Sequence, residues 1–198
     1  MSAVAALDAA VARGADAAVL RRILAAEVAL ALWSPAPDPQ LARALAGLPL
    51  AAIDDVDLVL GVDVGAASFA GTLRVAGYPA SAAMALSEDC LALAACFAEI
   101  TGRRRLALRL QVVETDACRK FHADYVAWRL LKTYVGPATQ WIRADAPDTI
   151  NAMATGDVGI FKGRLLHPMP RVLHRSPPIV ATGECRLMLV LDTEDLTG

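Results

Sequence analysis

Histidine is scarce in this chain. Its 198 residues hold three: His122, His167 and His174. Cysteine is almost as rare, and Cys90, Cys96, Cys118 and Cys185 form no C-x-x-C pair. In a cytosolic chain such thiols stay reduced. Cys90 and Cys96 lie in an apolar helical stretch and read as small core residues. There is no basic tail, no Lys/Arg cluster beyond Arg103-Arg104-Arg105, and the net charge is −2. That pattern argues against nucleic-acid binding. No run of roughly 18 uncharged apolar residues occurs, so no transmembrane helix is expected. One long apolar stretch, residues 19–33, is interrupted by Arg21, Arg22 and Glu27. The N-terminus lacks a basic segment before an apolar one, so no signal peptide is expected and the cytoplasm is the default location.

What is present is apolar and rich in alanine. Hydrophobic residues make up 56% of the chain, and the mean hydropathy is +0.44. The length suits one domain with a proper core. Two textures divide it. Residues 1–102 read as mainly helical, with helices expected over 3–13, 16–33, 40–46 and, with less regular patterning, 63–75. Ser87 is the expected N-cap of a further helix that Gly102 stops. From 103 onward, seven short strands are expected: 106–113, 121–126, 129–135, 139–142, 158–162, 171–175 and 185–192, with Gly/Pro punctuation between them. Seven strands in about ninety residues suggest a small barrel or jelly roll. The expectation is one α+β domain over 1–198, with N-terminal helices packed on a β-barrel formed by 103–198.

The histidines fall in the β half. His122 and Asp124 are two apart, so on a strand they point to one face, roughly 6.6 Å apart at the Cα level. His174 follows 52 residues later, on another expected strand. Two imidazoles and one carboxylate form the facial triad of non-haem Fe(II) oxygenases, which leaves coordination positions open for substrates. Arg186 comes 12 residues after His174 and can pair a carboxylate in bidentate fashion. Arg175 and Ser176 adjoin His174 and are candidates for binding an acidic ligand. Cys118 lies roughly 13 Å along an extended strand from His122, too far to share one ion unless the chain bends. His167, among Gly163, Arg164 and Pro168, reads as a loop residue. Lys162 and Arg129 read as solvated surface cations, and Trp128, Tyr134 and Trp141 as packing residues.

The order His122, Asp124, His174, Arg186 resembles the Fe(II)/2-oxoglutarate-dependent dioxygenase superfamily. That resemblance implies a double-stranded β-helix (jelly-roll, cupin-like) barrel, Fe(II) held by His122, Asp124 and His174, and 2-oxoglutarate bound by Arg186. The superfamily often carries Ser or Thr two residues after the arginine; here that position is Met188. The strings C-R-K-F-H-A-D-Y, R-L-L-K-T-Y-V-G-P, F-K-G, H-R-S-P-P and R-L-M-L-V-L-D also resemble a bacterial family known only as a domain of unknown function. Some of its members are encoded near zinc-responsive genes. Its signature positions include Cys118, Arg129, Thr133, Tyr134, Lys162 and Arg175. The family usually has glycine and an acid where this chain has Ala138 and Gln140.

Three functions are therefore weighed: a dioxygenase acting on an unidentified small molecule or protein, a zinc-binding protein of metal homeostasis that adds Cys118 to the ligands, and a metal-free structural barrel. None calls for nucleic acid or a membrane, and all leave room for a homodimer.

Overall fold

The computed structural model describes residues 10–61, 64–116 and 118–193. Ten strands run through it: β1 (Val11–Gly14), β2 (Leu30–Trp33), β3 (Val56–Gly61), β4 (Arg105–Val113), β5 (Trp128–Val135), β6 (Gln140–Arg143), β7 (Ala146–Ala152), β8 (Val158–Lys162), β9 (Val172–Arg175) and β10 (Arg186–Thr193). Three α-helices accompany them: α1 (Pro39–Leu45), α2 (Ala66–Val75) and α3 (Ala80–Thr101). The strands form a seven-stranded sheet, ordered β1-β2-β8-β5-β10-β4-β3, and a three-stranded sheet, ordered β7-β6-β9. All pairings are antiparallel except β1 with β2.

Side-chain alternation sorts the large sheet into two faces. On β10, Leu187, Leu189 and Leu191 join the core shared with the helices, including Phe69, Leu86, Leu93 and Phe97. Met188 and Val190 join a second core with Leu131, Trp141, Phe161 and Val172. Trp141 and Val172 come from the small sheet, so this second core fills the space between the sheets. By the same alternation Arg186 and Asp192 point inward. So do Arg109 on β4 and Arg129 and Thr133 on β5. Every residue of β10 is buried. It is a central strand with both faces covered, which is why it reads as an almost continuous apolar run.

Helix α3 is 22 residues long with a hydropathy of 1.4, enough by length and composition to cross a membrane. Its Leu86, Cys90, Leu93 and Phe97 lie fully or almost fully buried in the first core, the usual place of a core helix. Gly102 ends it in the left-handed conformation at φ +68°, as expected of a C-terminal glycine.

Several expected elements differ. Residues 11–14 and 30–33 are strands, not helix, and between them runs a 3-10 helix, Ala17–Leu24. Residues 3–9 lie outside the described residues. Alanine is a strong helix former, but propensity yields to tertiary context, and here burial of Leu30, Ala31 and Leu32 beside β8 decides. Ser87 does not cap α3, which begins after Pro79. Ser87 is instead buried, and its hydroxyl donates to the Ala66 carbonyl at 2.7 Å. Strands β3 and β7 were not expected. β7 is a mostly exposed edge strand with little apolar periodicity to reveal it. Residues 121–126 are not a strand. They form a loop that touches the small sheet at one point, a bridge between His122 and His174.

Candidate metal centre

Two backbone hydrogen bonds assemble the site. The His122 N–H donates to the His174 carbonyl at 3.0 Å, and the His174 N–H donates to the His122 carbonyl at 2.8 Å. Residues paired in this way carry their side chains on one face, and the imidazole centroids stand 4.8 Å apart. The same bond pair explains why His122 needs no full strand. Asp124 follows in the loop, where its carbonyl accepts the Arg164 N–H at 2.8 Å. Gly163 permits that approach: a Cβ there would stand 2.0 Å from the Val126 carbonyl oxygen.

The donor atoms of His122, Asp124 and His174 all lie within 4.8 Å of one another. His174 Nε2 is 2.9 Å from Asp124 Oδ2, and His122 Nε2 is 3.5 Å from Asp124 Oδ1. The shorter contact is out of line for hydrogen bonding, since Oδ2 is buried and has no hydrogen-bond partner. Ring nitrogen and carboxylate oxygen converge on shared space without satisfying each other. That is how ligands to a common cation are disposed, and the donor set fits a divalent transition metal.

Electrostatics keep the group in ligating form. Burial by itself would raise the Asp124 carboxyl, but contacts with His122, His174 and Arg129 outweigh it and hold the acid well below the usual carboxylate range. Burial pushes His174 down, which favours the neutral imidazole. Contact with Asp124 raises the half-exposed His122. Behind Asp124 runs a chain of ion pairs. Arg129 reaches Asp124 with Nη1 and grips Asp192 with Nε and Nη2 at 2.7 and 2.6 Å. Arg109 Nη2 holds Asp192 from the other side at 2.7 Å.

A cavity of about 380 Å³ opens beside the histidines, lined among others by Thr139, Ser176, Met188 and Arg109. Arg186 stands against this wall, fully buried. Its Nη1 donates to Ser176 Oγ at 2.8 Å, its Nη2 lies 3.4 and 3.5 Å from the hydroxyls of Thr133 and Thr139, and its Nε has no partner. No carboxylate pairs with it among the described residues. Burial without a counter-charge pulls this guanidinium down to about 10.

The other expected site residues separate. Arg175 and Ser176 both line the cavity, but the Arg175 guanidinium is already engaged: its Nε donates to Gln140 Oε1 at 2.8 Å and it lies 4.4 Å over the Phe121 ring. Cys118 is exposed and outside the ligand cluster; its carbonyl accepts the Ser176 N–H at 3.0 Å. His167 is also outside the cluster. Lys162 and Arg129 are not surface cations. Lys162 is 7% exposed and donates to the Ala25 carbonyl at 2.6 Å. Arg109, Asp192 and Gly163 were missed. The signal for the first two was a charged residue at the inward position of an apolar strand.

The profile of a family described as "protein of unknown function (DUF1826)" matches residues 14–192. The chain belongs to this family. No curated protein matches it. Among solved structures, the DUF1826 fold is similar to the dioxygenase for auxin oxidation from rice, at 13% identity and a TM-score of 0.51, over 83% of this chain and 73% of that one. It is also similar to a "Putative oxygenase" from Shewanella oneidensis, at 16% identity and a TM-score of 0.51, over 92% and 89% of the two chains. At such identities the likeness concerns the fold. It supports a jelly-roll-like architecture.

Proposed function

We propose that this DUF1826 protein is a metal-dependent oxygenase of the Fe(II)/2-oxoglutarate type. The observation that carries the reading is Arg186, a buried guanidinium without an acid among the described residues, whose partners Ser176 and Thr139 line the cavity that His122 and His174 also line. A buried cation is costly unless a counter-charge meets it. A dicarboxylate that meets the metal at one end and Arg186 at the other supplies that charge.

His122, Asp124 and His174 would hold Fe(II), and Fe(II) with 2-oxoglutarate would supply the oxidising chemistry. Arg129, fixed by Asp192, orients the Asp124 carboxylate and keeps it ionised. Arg186 would pair the far carboxylate of the co-substrate through its guanidinium fork. Ser176, Thr133 and Thr139 surround that fork with hydroxyls, which rotate to donate to an arriving oxyanion. Ser176 thereby takes the place of the hydroxyl that Met188 lacks. The primary substrate would enter the same cavity, past Arg109 and Gln111.

The test is anaerobic addition of Fe(II) and 2-oxoglutarate to the metal-free protein. A weak visible charge-transfer band is expected, and His174→Ala should abolish it. Absence of the band, with no 2-oxoglutarate binding by calorimetry, would sink the reading. Elemental analysis of purified protein separates iron from zinc, and Cys118→Ser should leave the metal content unchanged.

A further inference from the structure

We propose that the mouth between edge strand β1 and the β6–β7 hairpin is a binding site for a small organic anion, carboxylate or phosphate, distinct from the His-Asp-His cavity. A cavity of about 510 Å³ opens there, lined by Arg13, Trp141, Arg143, Thr149 and Asn151, with Val11 and Ala146 as its apolar wall. None of these residues lines the cavity at the histidines.

Backbone register collects them. Trp141 pairs with Asn151 and, beyond a register shift, Arg143 with Ala146 across the hairpin, and all four residues line this one cavity. Trp141 also pairs with His174 on its other side and so belongs to the inward face of the small sheet. Val11 and Arg13, two apart on β1, approach from the large sheet.

Three features select an anion. The Trp141 side chain is buried, at 2% exposure, and its indole N–H has no acceptor. An orphaned buried donor is rare in a folded chain and calls for a partner. The Arg13 guanidinium lies 4.9 Å over the Trp141 ring and has no acidic partner among the described residues. Arg143, engaged by Asp145, adds a second guanidinium to the wall. An indole N–H and a guanidinium donate and cannot accept, so the complementary ligand presents oxygen acceptors and negative charge. Arginine's planar fork suits carboxylate and phosphate alike. The volume exceeds what one inorganic ion needs and lies in the range of small-molecule pockets, so the oxyanion is carried on an organic body that meets Val11 and Ala146.

The test uses the full-length, metal-free protein and the ¹H–¹⁵N signals of its three tryptophan indoles. Trp141→Phe assigns the Trp141 signal. Titration with benzoate and with phenyl phosphate separates the two oxyanions, and benzamide is the neutral control. A saturable downfield shift of the Trp141 indole proton is expected with at least one anion and not with benzamide. Arg13→Gln, at an exposed position, should weaken binding at least tenfold without changing the melting temperature, whereas Arg186→Met and His174→Ala should leave it unchanged. No saturable shift with either anion would overturn the proposal. So would an equal response to benzamide, or binding that survives Arg13→Gln and disappears in Arg186→Met. Because the metal is absent throughout, the result is independent of the oxygenase reading.

Discussion

Strand β5 carries a polar cluster on each of its faces, and the two are built to opposite specifications. Toward the helices, Lys132 donates to both oxygens of Asp89 at 2.9 and 2.8 Å, the Tyr134 hydroxyl donates to Asp89 Oδ2 at 2.6 Å, and Cys90 Sγ touches that hydroxyl at 3.2 Å. None of the polar atoms of these four residues is a buried atom without a partner, although Tyr78 Oη and Thr193 Oγ1 elsewhere on the helix side are. Toward the interior, one strand position away, Thr133 faces Arg186, whose charge has no counterpart and whose Nε is orphaned. Asp124 Oδ2 on that side is orphaned too. The helix-side cluster is complete and serves the fold. The interior one leaves a charge unbalanced, which the proposed co-substrate would balance. Both clusters are largely buried, and what separates them is charge balance.

The largest expected effect breaks the interior cluster. In Arg186→Met, 2-oxoglutarate binding should fall by about 2–5 kcal/mol, at least roughly 30-fold by calorimetry. Stability should stay the same or rise, because an unpaired buried charge is replaced by an apolar side chain of similar length. A fall of many degrees in melting temperature would show that Arg186 is paired as Lys132 is, and the contrast would collapse.

Next comes the complete cluster. Asp89→Ala strands Lys132, only 7% exposed in its side chain. The cost should be about 3 kcal/mol, the low end for a broken buried pair, because Asp89 keeps 26% exposure. For a chain of this length that lowers the melting temperature by roughly 6–12 °C. The double variant Asp89→Leu/Lys132→Met should recover most of the loss. If the single variant is neutral, the cluster is not structural.

A smaller effect is expected where the two themes meet. Asp192 holds Arg129, which holds Asp124. Asp192→Asn leaves every proposed ligand in place and removes one charge behind them. Metal affinity should drop 10- to 100-fold, the usual range for partners that orient a ligand. Unchanged affinity would mean that the ion-pair chain serves β10 alone.

The contrast also marks what could be read without coordinates. Strands 106–113, 129–135 and 158–162 were legible because β-branched and apolar residues recur between Gly and Pro breaks. The convergence of His122, Asp124 and His174 was legible because histidine is scarce and one of the three follows the His-x-Asp pair on an expected strand. The N-terminal strands were not. β1 and β2 lie within alanine-rich sequence of helix-like composition, and they form strands where β8 supplies an edge to pair with. The loop conformation of 121–126 was hidden for a related reason: its aromatics suit a strand, but Gly163 draws the chain into a turn around Asp124. The Arg109-Asp192-Arg129 chain required the register of three strands, which no single segment encodes.

The smallest expected effect tests how tightly the helix-side cluster is closed. Burial raises the Cys90 thiol to about 12 and raises Tyr134 well above its usual 10. The thiolate is the reactive form. At pH 8, iodoacetamide should therefore modify exposed Cys118 and spare Cys90 in the native protein. Both raised groups are acids that the fold keeps protonated. Above pH 9 the unfolded chain starts to release protons that the folded chain retains, so stability is fully present below pH 9 and declines as pH rises toward 12. The urea midpoint should follow that course, and Cys90 labelling should accelerate in step with it. In Asp89→Ala the labelling should begin at lower pH, because the lost pair makes opening easier. Rapid modification of Cys90 at pH 8 in the wild-type chain would show that the helix-side face is open as well, and that completeness of hydrogen bonding is a poor guide to function in this fold.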